Sequence, residues 1–128
     1  MAYYINKILD ISYEEAVGRV ADELKKEGFG ILTEIVVDET LKKKLNVDFR
    51  KYRILGACNP AFAYRALQIE DKIGLMLPCN VVVQVNLDGK TEVAAIDPAA
   101  SLQVVKNEKL EEIGREVREK LRSVIENL

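Results

Sequence analysis

Residues 79–97 constrain the fold more tightly than any other stretch of the chain. Cys79, Val81, Val83 and Val85 alternate with Asn80, Val82, Gln84 and Asn86, the period-two pattern of a strand whose two sides meet different surroundings. Asp88-Gly89 follows, and residues 90–97 run extended again. Glycine at that place supplies the positive φ of a tight hairpin turn, so the two runs are expected to be antiparallel neighbours. The rest of the chain has to be arranged around this ribbon.

Before the ribbon, residues 2–9 read as a strand, and Ser12 with Glu15 forms a capping box at a helix start. Tyr13, Ala16, Val17, Val20 and Leu24 recur at spacings of three and four, one buried stripe, and Gly28 is the natural stop. Residues 30–37 give a second strand. Asp38 is expected to cap a short helix that turns Leu41 and Leu45 inward and Lys42, Lys43 and Lys44 outward, ending at Asn46. Residues 52–58 form a third strand, and Asn59-Pro60 is the cap and first-turn signature of a helix to about Ile69.

A fourth strand is expected over residues 73–77, separated by Pro78 from the ribbon. Beyond the ribbon, Asp97-Pro98 repeats the cap-plus-proline entry into a short helix. A final helix from Asn107 buries Leu110, Ile113, Val117, Leu121, Val124 and Leu128, with Glu111–Arg115 and Glu116–Lys120 as outer pairs. Six short strands without strict strand-helix alternation predict an α+β fold: an antiparallel sheet of five to six strands with helices on one face. No stretch has linker composition, so residues 1–128 read as a single domain.

Composition excludes several classes of function. Hydrophobic residues at 48% and charged residues at 31% describe a globular chain. The start lacks the order of a secretory signal, and the longest apolar run, broken at Pro78, is too short to span a bilayer. A cytoplasmic protein is expected, with no membrane partner and with its two cysteines reduced. The net charge of −2 disfavours nucleic acid. Lys42, Lys43, Lys44, Arg50, Lys51 and Arg53 are a local basic cluster, read as a solvated surface. The chain has no histidine, so neither a histidine-based triad nor a common zinc set can be assembled, and no phosphate-binding glycine loop is present. Whether the chain is an enzyme is left open, and no cofactor or metal is indicated.

The runs Gly28-Phe29-Gly30-Ile31-Leu32-Thr33-Glu34-Ile35, Ile54-Leu55-Gly56-Ala57-Cys58-Asn59-Pro60, Leu77-Pro78-Cys79-Asn80-Val81-Val82-Val83 and Ala95-Ile96-Asp97-Pro98 resemble the domain-of-unknown-function family 302 in the right order over nearly the whole chain. The resemblance implies a β-α-β(4)-α fold of the TATA-binding-protein-like or helix-grip-like kind, often dimeric, with no established activity.

The residues that invite a functional reading are the pairs Cys58-Asn59 and Cys79-Asn80, with Asp97. Cys58 precedes a helix start, whose free amides and dipole suit a reactive thiolate; packing as a small hydrophobe is the plainer alternative. Cys79 shares its face with three valines, where burial favours the neutral thiol. Asn59 and Asp97 are read first as caps, while Asn80 in a valine-rich strand needs hydrogen-bond partners if buried. Tyr64 and Arg65, on the helix after Cys58, either border the same mouth or lie in solvent. Three readings follow. The first is a homodimer that binds or senses a small polar ligand, with Cys58, Asn59, Cys79, Asn80 and Asp97 lining the pocket. The second is a thiol enzyme or redox sensor in which Cys58 attacks and Cys79 resolves. The third is a structural domain built to dimerise or interact.

Overall fold

A computed structural model describes residues 2–128. Five strands, β1 (Tyr4–Leu9), β2 (Gly30–Val36), β3 (Tyr52–Cys58), β4 (Cys79–Val85) and β5 (Thr91–Ile96), form one sheet in the order β1-β5-β4-β3-β2. Every neighbouring pair is antiparallel. The expected ribbon is the β4–β5 pair at its centre, with Val83 opposite Val93 and the turn at Gly89, where φ is 77°.

The helices are α1 (Tyr13–Lys26), α2 (Val37–Leu45), α3 (Pro60–Ile69), α4 (Pro98–Ser101) and α5 (Glu108–Glu126). Helices α1 and α5 cross one face of the sheet and touch each other. Their stripes fit the sequence spacing: Tyr13, Ala16, Val20 and Leu24 are buried on α1, and Leu110, Ile113, Val117, Leu121 and Val124 on α5. These meet the alternate row Leu55, Val81, Val83, Val93 and Ala95, which is where the core lies. Ser12 Oγ accepts from the Glu15 amide, and Asn107 Oδ1 from the amides of Lys109 and Leu110, so both long helices start on the expected caps.

Four expectations are corrected. Residues 73–77 are not a strand: a 3-10 helix runs over Asp71–Met76, started by the Glu70 carboxylate accepting from the Lys72 amide. Its one fully buried side chain is Ile73. The apolar run was therefore an anchor within a connection, not a sheet element, and the strands number five. Helix α2 begins two residues early, with Val36 in the cap position, so Asp38 lies in its first turn and accepts instead from the Tyr52 amide while pairing with Lys51 at 3.6 Å. Leu45 is 66% exposed rather than turned inward. On α5, Glu116 reaches Arg65 of α3 at 2.9 Å, tying two helices together instead of pairing along its own.

Three of the six cations in the basic cluster are paired with carboxylates. Lys42 meets Asp48, Lys51 meets Asp38, and Arg53 meets Glu34 at 2.7 Å, while Arg50 donates to Gln84 and lies over the Phe49 ring. No helix among the described residues is long and apolar enough to cross a membrane.

Candidate functional site

Where β3 ends and β4 begins, the two Cys-Asn pairs come together. Ala57 is the register partner of Cys79, and Gly56 that of Asn80. Partners across a ladder share a face, so Cys79 leaves on the helix-covered face with Ala57, and Cys58 follows Ala57 as the last residue of β3. Both are reduced and half-buried. They remain in electrostatic reach: burial pushes the Cys79 thiol up to about 11, and Cys58 adds to the rise.

This end of the sheet does not close. A cavity of about 350 Å³ is bordered by Cys58, Asn59, Cys79 and Asn80 at the strand ends, and by α3, the 3-10 helix and α5 around them. Its walls are mostly apolar. Phe29, Phe62, Ile73, Leu77, Ile113 and Val117 supply the bulk. Ala57, Ala63 and Ala66 line it where larger side chains would fill it. Leu75 and Met76 also border it, and Leu75 is 88% exposed. No charged side chain among the described residues lines the cavity.

The polar groups at its edge behave unevenly. Asn59 was expected to cap α3, but its side chain makes no cap bond there; its Nδ2 instead donates to the Glu27 carbonyl at 3.4 Å, bridging to the end of α1. The first turn of α3 thus keeps free amides beside the cavity, less the one that Pro60 lacks. Asn80 is exposed and reaches both the cavity and the open face of the sheet. Asp97 stands apart. It is buried at 6% exposure, accepts from the Ala99 amide at 2.9 Å as the cap of α4, and pairs with Arg118 at 3.5 Å. Its carboxylate is committed to the α4–α5 junction and does not border the cavity. Arg65 is held by Glu116 on the surface, and Tyr64 is exposed.

Gly56 keeps the strand ends in place. A Cβ there would run into the Thr33 side chain and come within 2.8 Å of Pro78 Cγ, so only glycine lets Pro78 lie over β3 beside the mouth. Sequence reasoning found the four strand-end residues but missed the walls. The available signal was the small-residue spacing Ala63–Ala66 on α3 facing Ala57.

The model of the family described as "Domain of unknown function DUF302" matches residues 5–128. The chain belongs to the DUF302 family. A solved relative, the crystal structure of the uncharacterized conserved protein DUF302 from Bacillus stearothermophilus, is 28% identical, with 98% of each chain covered and a TM-score of 0.92. No curated protein matches this DUF302 chain. The expected α+β architecture is therefore that of the family, and neither comparison brings an activity to the cavity.

Proposed function

We propose that this DUF302 domain binds or senses a small ligand in the cavity at the β3–β4 end, and does so as a homodimer. The observation that carries the reading is the cavity itself. At about 350 Å³ it falls within the range of small-molecule sites, and it combines an apolar body with a few polar groups at one end, the usual composition of such sites. Cys58, Asn59, Cys79 and Asn80 are the ligand-facing residues of this reading. A thermal-shift screen across a metabolite panel tests it, since a ligand that binds only the folded state raises the melting temperature. At least one compound is expected to stabilise the domain at concentrations near its dissociation constant, and a broad panel with no stabilising member overturns the reading.

The homodimer draws support from the sheet face that no helix covers. Tyr4, Ile8 and Ile35 stand exposed around its margin, with Val82 opposite Ile54 near the middle. The same face supports a second reading, a domain whose main task is interaction. Sedimentation equilibrium is expected to show a dimer that Val82→Glu converts to a monomer; a wild-type monomer removes both the dimer and this second reading. The thiol-redox reading is weaker, because a resolving thiol held near 11 is almost wholly protonated at neutral pH and attacks slowly.

A further inference from the structure

We infer that the cavity's ligand is a neutral amphiphile: an uncharged molecule with an apolar body of roughly two rings or ten carbons, ending in a hydroxyl or amide. This rests on the small-ligand reading above and narrows it to one chemical class.

Size sets the body. An apolar cavity of about 150 Å³ holds a benzene, so 350 Å³ has room for about two such units. Wall chemistry sets its polarity. Phe29, Phe62, Ile73, Leu77, Ile113 and Val117 enclose the deeper part, and an apolar body placed there releases water from both surfaces. At the mouth, Leu75 and Met76 present exposed apolar surface that the same body would cover.

The head must be neutral because the lining offers a charge nothing to pair with. The cations next in sequence to lining residues are already paired, Arg65 with Glu116, Lys72 with Asp71 and Arg118 with Asp97. An ion taken from water into such walls loses its hydration without a counter-charge. The burial-shifted Cys79 thiol stays protonated, so it supplies no anion for an ammonium head. One feature favours a carboxylate, the free amides that open α3. A single helix end in contact with solvent is a weak attraction beside the loss of an ion's hydration shell. The same amides, with the side chains of Asn59 and Asn80, suit a hydroxyl or amide that both donates and accepts.

The test uses 6-propionyl-2-(dimethylamino)naphthalene, a neutral two-ring fluorophore, displaced by decan-1-ol, decanoate or decylammonium, each below its solubility or micellar limit at pH 7.5. The probe is expected to brighten on binding. Decanol should displace it at a concentration at least tenfold lower than either ion requires. Decanoate equal to or better than decanol overturns the neutral class while leaving small-ligand binding intact. A probe that does not bind, together with no thermal shift from any of the three, overturns the class and the binding reading together. Met76→Lys, at an exposed mouth position where folding is spared, places a cation beside the head. It should raise decanoate relative to decanol by several fold; unchanged displacement by all three would show that the probe sits elsewhere and overturn the assignment.

Discussion

Strand β4 passes through two different interiors. At Val81 and Val83 it is wholly buried; these valines face Leu55, Ala95 and Val93 across the ladders and lie in the core that Val20, Leu24 and Leu121 share. Two residues earlier, Cys79 stands on the same face with Ala57 as its partner, and what lies over it is a cavity edged by Ala63 and Ala66. Strand, face and helix layer are common to both ends. The difference is side-chain volume: leucine and valine close the space over one end, and alanines leave it open over the other. Vacant apolar volume costs stability, because the atoms lining it lose close contacts. A domain that keeps about 350 Å³ of it at one end of an otherwise closed core invites a ligand as its explanation.

The contrast breaks first under truncation. Leu121→Ala removes a side chain with no exposure from the closed end, and about 2–5 kcal/mol of unfolding free energy should go with it. Leu77→Ala, at a half-buried wall of the cavity, should cost less, since part of its contact surface already faces empty space. Urea unfolding of both variants decides. Equal losses would mean that the two ends are packed alike.

Titration gives a second, smaller effect confined to the open end. The Cys79 thiol rises from an ordinary 9.0 to about 11, chiefly because burial disfavours the thiolate. The folded state thus holds the proton more tightly than the unfolded one. The contribution is full below pH 9 and is lost progressively as pH climbs toward 11. Two units correspond to roughly 2–3 kcal/mol at most. Stability measured between pH 8 and 11 should fall more steeply for the wild type than for Cys79→Ala; parallel curves would mean that Cys79 is solvated.

Sequence legibility follows the same division. The closed end was readable because its elements declare themselves through periodic apolar stripes, and Ser12, Asn107 and Gly89 mark starts and turns by local chemistry alone. The four strand-end residues of the site were readable as motifs. Residues 73–77 were not, because a short apolar run has no period of its own, and only the tertiary burial of Ile73 shows it to be an anchor. Asn59 and Asp97 carried the same cap-plus-proline signature, yet Asp97 caps its helix and Asn59 reaches back to Glu27. Proximity of the α1 terminus decides that, and no spacing in the sequence encodes it. A cavity is harder still to read, being defined by what side chains fail to fill.

The sharpest version of the contrast adds atoms instead of removing them. Ala16 on α1 has no exposure at all and Ala66 on α3 has 3%, so by burial they look alike. Ala16 lies in the closed core, where three extra carbons must displace neighbours, and Ala16→Leu should cost about 1–3 kcal/mol. Ala66 borders the cavity, and there the new side chain enters free space. Ala66→Leu should change stability by less than about 1 kcal/mol, or raise it, as cavity-filling substitutions do. It should also abolish whatever thermal stabilisation a bound small molecule confers on the wild type. If both leucines destabilise to the same degree, the space beside Ala66 is not available to a side chain, and a ligand would find no room there either.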